Sequence, residues 1–425
     1  MLKKILILLV LLSINFLASD RKFNSNIELL FGNTESLILK KNYHNLIKND
    51  VTIIPSFFVS KNSFEASASL NMSEDMFIFD ELFFKYSFNR FDLIIGRFFA
   101  NSASTSNYFS SGSMIESGNT IPIPKIGVKY ENNFYDIKYI FEMYHGLMKT
   151  TKHIDEAPYL HDKKLYLIKD FNKNLFSVGL GIHHTAIWGG STIRNGKQPS
   201  SFKDFLDVFL GDKSREGVGT IGDQTNALGD ARGMWDFFIH KNGYNNSLKF
   251  YYQNFFEDKS GLKLKDQASQ FDGLFGIEIT SNQFSFIYEY LKTTYQGGNF
   301  HPPGIDSYYY SGAYYPGWQY NNYSIGNMYI SPLNNRAKIH HLHYSKKINK
   351  NKIYFDLSFG NYFRPFNEKD YNQSIDLSMD KGAYFHQETL GFERFINKDL
   401  SVVAWVENTQ ALTNIVFSLN YKLNN

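Results

Sequence analysis

The sequence predicts an all-β fold, a transmembrane antiparallel β-barrel of about eighteen strands with a lumen occluded by long extracellular loops. Three observations carry this. Apolar residues alternate with polar ones at a period of two through most of the chain. Tight Asn-rich turns alternate with long connections. A secretory signal stands at the N-terminus, and no later apolar run approaches the roughly 20 residues of a spanning helix.

The signal comes first. Lys3 and Lys4 form a basic region, Ile5 to Leu12 is apolar, and Leu17-Ala18-Ser19 offers small residues for cleavage before Asp20. Residues 1–19 are therefore expected to be removed and residues 20–425 to form the barrel. Strands are expected near 23–40, 51–60, 63–71, 76–88, 91–99, 125–131, 134–144, 163–170 and 175–186. Others are expected near 233–241, 246–255, 271–280, 283–295, 336–346, 352–363, 385–395, 400–409 and 414–422. In Ile353 to Tyr362, for example, Ile353, Phe355, Leu357 and Phe359 share one face and Asp356, Ser358 and Gly360 the other. Helical periodicity is scarce; Phe202 to Leu210 is the best short candidate.

The connections give the orientation. Asn89-Arg90, Asn132-Asn133, Asn172 to Asn174, Asn242 to Asn245, Ser281-Asn282, Ile348 to Asn351 and Asn397 to Asp399 are tight turns. The long connections are 100–124, 145–162, 187–232, 256–270, 296–335 and 364–384. Short loops on one side and long loops on the other are the layout of an outer-membrane barrel, and an even strand count returns both termini to the periplasmic side. A soluble secreted sandwich, solenoid or propeller has no reason for this alternation, and no repeat of propeller length is present. The last strand finishes on Leu423-Asn424-Asn425 rather than on the aromatic residue common in such barrels.

Composition agrees and excludes several functions. The chain has 425 residues with 40 Phe and 29 Tyr, yet its mean hydropathy is negative. A net charge of +3 gives no nucleic-acid signal. Absence of cysteine rules out disulfides, a thiol nucleophile and a lipoprotein anchor. His183 and His184 are adjacent and face opposite sides of a strand. His341 and His343 share a face but lack an ordered carboxylate set, so no metal or other cofactor is expected. No nucleophile–base arrangement stands out, and an enzyme is not expected.

Two long connections remain as candidates for function. Loop 187–232 holds Asp204, Asp207, Asp212, Arg215, Glu216, Asp223, Asp230 and Arg232. Mixed charge suits a segment folded into a polar lumen, the alternative being a surface loop. The stretch His301 to Ser331 carries Tyr308, Tyr309, Tyr310, Tyr314, Tyr315, Trp318, Tyr320, Tyr323 and Tyr329 among three prolines and several glycines. Amphipathic rings on a constrained loop suit a ring-shaped polar ligand such as a sugar. The competing reading is that the rings form an interfacial girdle, pack the loop, or form the core of a plug.

Four segments together resemble the Wzi-type capsule assembly family. They are Ala157 to Leu167 with Leu175 to Gly190, and Asn226 to Asp236 with Tyr251 to Leu262. Asp272 to Glu278 with Tyr288 to Tyr290 is the third, and Tyr314 to Tyr320 with Ser324 to Gly326 the fourth. The likeness is close over about residues 125–345 and elsewhere is mainly barrel pattern. It implies an eighteen-stranded barrel in the outer membrane of a Gram-negative bacterium, its lumen blocked by loops. It also implies lectin-like attachment of capsular or other exopolysaccharide, contact with outer-membrane lipid, and a possible link to a polysaccharide export apparatus. No catalytic residues are implied. Residues 20–50 are too short and too β-like for the periplasmic helical segment of some relatives. The expected sugar contacts are Tyr309, Tyr314, Trp318, Tyr320 and Tyr323, with Arg194, Arg215 and Arg232 supplying positive charge. The alternative function is a channel or porin for sugars or other small solutes.

Overall fold

A computed structural model describes residues 22–47, 51–100, 102–105, 107–171, 175–257, 271–296, 307–366, 382–410 and 412–424. The expected signal peptide lies outside the described residues, as do parts of the connections 256–270, 296–335 and 364–384. One antiparallel sheet of 18 strands runs through the chain in sequence order. It closes on itself: Lys22–Phe31 pairs with Val51–Lys61 on one side and with the last strand, Thr413–Asn424, on the other. Closure leaves no strand edge unpaired, which a bilayer demands because lipid offers backbone groups no partner.

The pleat sorts the side chains. In Tyr159–Phe171, Leu165 and Leu167 are 41% and 37% exposed on the outer wall, while Asp162, Lys164 and Tyr166 are buried inside. Outward residues on other strands include Phe250, Phe355, Leu390 and Phe417. Tight turns follow Phe88 and Ile348 as expected, with Asn89 and Asn349 at positive φ, and Asn62 is likewise at positive φ in the turn after Lys61. The expected turn at Asn132-Asn133 is corrected: both residues continue the strand Pro124–Phe134 and the chain turns at Tyr135, φ +52°. The expected turn Asn172 to Asn174 lies outside the described residues. Aromatic pairs line this end of the wall, Phe64 with Tyr86 and Phe91 with Tyr130, their ring centroids 4.8 and 4.7 Å apart. Both ends of the sheet's chain, Lys22 and Asn424, lie on the tight-turn side.

Three long connections run inside the barrel. The first corrects the sequence reading, which extends the opening strand to residue 40. The strand stops at Phe31, Gly32 turns at φ +102°, and a short helix, Leu37–Asn42, enters the lumen. Wall residues anchor it: Glu407 accepts from the Thr34 hydroxyl and from the backbone N–H of Glu35 (2.9 Å) and Ser36 (3.2 Å), and Gln387 accepts from Leu37 N–H at 2.9 Å. Residues 98–123 form the second. Glu289 accepts from Ser110 Oγ and Ser111 N–H, both at 2.6 Å, and Gln253 accepts from Met114 N–H at 2.9 Å. Phe109 stacks on His343 at 3.8 Å.

Residues 307–335 are the third and pack onto the second. Trp318 Nε1 donates to Ile115 O at 2.8 Å, Asn327 Nδ2 to Gly112 O at 2.6 Å, and Thr120 Oγ1 to Tyr320 O at 2.7 Å. Lys41 joins the first two loops by donating to the carbonyls of Tyr108 and Ser110, both at 2.7 Å. Among them Leu39, Met114, Ile115, Tyr308, Tyr309, Trp318 and Ile325 build one apolar core with wall residues such as Met234, Phe255 and Ile339. The barrel thus holds an interior packed like that of a soluble domain, with polar wall residues paired to loop backbone.

Removing the Glu407 anchor has a defined expected result. Glu407→Ala leaves the amides of Glu35 and Ser36 without their acceptor, at about 1.5–3 kcal/mol per charge-assisted bond. Hydrogen exchange at residues 35–45 should then accelerate while the strands stay protected; unchanged exchange would contradict the anchoring role.

Candidate functional site

At the long-loop end the structure leaves a cleft of about 1110 Å³ between residues 194–231 and residues 307–313, with Glu257 also on its wall. A three-stranded patch positions one rim: Ser191–Thr192 pairs with Gly196–Lys197 and with Ile154–Glu156. That hairpin carries Arg194, Asn195 and Lys197 as exposed residues. Arg194 reaches toward the opposite rim, where a Cβ on Gly312 would lie 4.0 Å from its Nη1. The other rim is turned by Tyr310, which bridges to Gly317 and lies edge-on to Tyr315 at 6.2 Å.

The acids on the cleft wall are engaged by the fold. Asp223 closes the cap of helix Ile221–Thr225 and accepts from Thr220 N–H at 2.6 Å and Gly229 N–H at 2.8 Å. Asp230 is ion-paired with Arg232, and Glu257 accepts from Tyr309 N–H at 2.7 Å. The rim therefore offers cations, amides and a hydroxyl: Arg194, Lys197, Asn195 and Asn226 are exposed, and Gln224 and Ser311 are half-buried. Such a wall can bind a hydroxyl-rich, negatively charged chain at many weak points.

The sequence-predicted site residues divide sharply. Tyr309 and Trp318 are 0% and 1% exposed, and Tyr314 and Tyr320 are also buried. Their polar atoms serve the plug: Tyr309 Oη donates to Met114 O, Tyr314 Oη to Gly189 O at 3.0 Å, and Trp318 Nε1 to Ile115 O. The expectation that these four rings contact sugar is corrected accordingly, and the competing reading of a plug core fits them, because burial of their apolar area outweighs exposure at the rim. Tyr323 is half-buried in the hairpin Gln319–Ser324. Arg194 lines the cleft. Arg232 is fully buried below it, 4.6 Å from the Trp318 ring. Arg215 sits apart, its Nη2 2.7 Å from Asp204 Oδ1.

Loop 187–232 also departs from expectation. Its helix Phe202–Leu210 lies against the outer face of the wall, not in the lumen. Ser201 and Asp204 form a reciprocal capping box at its start. Burial pushes the Asp204 carboxyl up, but hydrogen bonds from Ser201 and the Arg215 guanidinium outweigh this and hold it below the usual carboxylate range. Sequence reading named none of Lys197, Asn195 and Gln224, and Tyr310 only as one ring of the aromatic stretch; the local signal for the first three was their place in one of the two longest connections.

Residues 46–390 match the Capsule assembly protein Wzi family. Among solved structures, the chain is similar to Wzi of Escherichia coli, an outer-membrane protein involved in group 1 capsule assembly and a carbohydrate-binding β-barrel. The TM-score is 0.62 at 12% identity, over 98% of this chain and 87% of that one. OccK5 of Pseudomonas aeruginosa follows at TM-score 0.47 and 9% identity, over 96% and 98% of the two chains. No curated protein sequence matches. A family match over most of the length, on a closed barrel with this layout of strands and loops, shows that the chain belongs to the Wzi family of capsule assembly proteins and is an outer-membrane β-barrel.

Proposed function

We propose that this barrel holds an acidic capsular or other exopolysaccharide at the cell surface, as a binding protein rather than an enzyme. Residues 1–19 direct export and are removed from the mature barrel, and the loops inside the barrel close it to solutes. The observation that carries the reading is the wide cation- and amide-rimmed cleft at the long-loop end, above a lumen filled by side chains. Sugar hydroxyls would meet Asn195, Gln224 and Ser311, uronic carboxylates Arg194 and Lys197, and one sugar face the Tyr310 ring. The buried Tyr309, Tyr314, Trp318 and Tyr320 act by fixing the rim, Tyr323 by holding its hairpin, and Arg215 and Arg232 by pairing with Asp204 and Asp230. A handover from an export apparatus on the periplasmic side fits the same reading.

The test is retention of polysaccharide by cells carrying Arg194→Glu with Lys197→Glu. Loss of two charge-assisted contacts at about 1.5 kcal/mol each, with repulsion added, should lower affinity by more than about 100-fold. Lys152→Glu, on an exposed hairpin outside the cleft, should leave retention unchanged. Equal retention by the double variant and the control would overturn the cleft assignment.

A further inference from the structure

The outer wall is interrupted by a polar patch at a depth where lipid is expected. His145, His161, Lys163 and His184 lie on neighbouring strands and face outward, paired as His145 with His161 and Lys163 with His184. They share the face of Leu165, Leu167, Val178 and Leu180, all exposed on the wall. Lys163 stands eight residues along its strand from Phe171, which contacts Phe176 at the tight-turn end. At about 3.3 Å per residue and a tilt near 40°, that is about 20 Å, inside the roughly 25 Å apolar band of such barrels. Polar side chains facing lipid there are destabilising.

Helix Phe202–Leu210 covers this patch. Phe205 packs against His145, His161 and Trp188, Phe209 against His161, and Lys163 Nζ lies 4.1 Å from the Phe209 ring centroid. Gly211 ends the helix in the left-handed region, close to His184 Nε2. Its other face consists of Phe202, Leu206 and Leu210, one helical turn apart and 76%, 43% and 59% exposed. Ile221, in the next helix, is 81% exposed. A helix that buries one apolar face and presents another belongs to a surface that is not water. Lys203 and Lys213, both exposed, flank this face.

We propose that Phe202–Leu210 is seated in the outer leaflet of the membrane, its face of Phe202, Leu206 and Leu210 against lipid acyl chains. It replaces the polar wall patch with an apolar surface continuous with the lipid-facing band below. Lys203 and Lys213 then lie at headgroup level, where lipid phosphates attract them. The same connection supplies residues 219–226 to the cleft, so the membrane fixes one cleft wall. This seating is independent of what the cleft binds.

Because the chain lacks cysteine, single nitroxide labels report directly. Labels at Leu206→Cys and Leu210→Cys, with Tyr244→Cys in an exposed tight turn as water reference, are read in proteoliposomes and in outer-membrane vesicles. The expected result at Leu206 and Leu210 is collision with oxygen at several times the rate with a water-soluble nickel chelate, the reverse of Tyr244. Lys203→Cys should show intermediate chelate access. Chelate access at Leu206 equal to Tyr244 in both preparations would overturn the proposal. So would exclusion of both reagents in native vesicles with free chelate access in proteoliposomes, since a partner protein would then be the cover.

Discussion

Purified barrel in a planar bilayer is expected to carry no steady current, and replacing residues 308–331 by a Gly-Ser linker of equal length should open discrete conducting steps. A closed sheet of 18 strands is wide enough to pass solutes unless side chains fill it. Here residues 307–335 supply much of the fill, with Tyr308, Tyr309, Trp318, Tyr320 and Ile325 all buried among residues of the 98–123 connection. The contact is tight. Gly326 has no room for a side chain, since a Cβ there would lie 2.0 Å from Tyr309 Oη and 2.5 Å from Met114 O. Gly326→Val should therefore loosen the same interface and give a smaller leak than the linker variant. A steady current through the unaltered protein would sink the plugged-lectin reading and favour a sugar porin.

The second large effect is expected at Arg232. This guanidinium is fully buried, paired with Asp230, and lies 4.6 Å from the Trp318 ring and 5.9 Å from that of Tyr309. Arg232→Ala leaves the Asp230 carboxylate buried without its cation. Breaking such a pair from one side costs about 3–5 kcal/mol, whereas replacing both partners with uncharged groups of similar volume is often neutral. The thermal midpoint should fall sharply for Arg232→Ala, and Arg232→Met with Asp230→Asn should recover most of the loss. Protease nicking within 307–335 should follow the same order. If the double variant is as unstable as the single, the charge pair is not what holds this side of the plug.

The barrel itself was legible in the chain because its determinants are local. A period of two marks each strand, and asparagines at positive φ such as Asn89 and Asn349 mark some of the turns, so strands such as Asn351–Phe363 and Leu400–Thr409 fall where the pattern puts them. The helix Phe202–Leu210 was legible for the same reason, since Ser201, Asp204 and its apolar spacing lie within a few residues. The opening strand misled because apolar residues return at Leu37, Ile38 and Leu39 after the polar stretch Gly32 to Ser36. These pack on the plug, a destination that local pattern does not encode.

Destinations were the part that only tertiary structure decided. Trp318 and Ile115 meet across 203 positions, and Glu407 reaches Glu35 across 372. Whether an aromatic residue on a long loop faces sugar or core depends on such meetings, since its chemistry suits both. So Trp318 became plug core, while Tyr310 and Arg194 came together at the cleft. Likewise, Phe202 to Leu210 reads as a helix from sequence, but only the outer wall behind it turns Phe202, Leu206 and Leu210 away from the protein. Sequence by itself determined a membrane barrel with long outer loops, because backbone geometry and burial on the wall are set by near neighbours. The sorting of those loops between lumen, rim and membrane required the closed sheet to bring distant residues within contact distance.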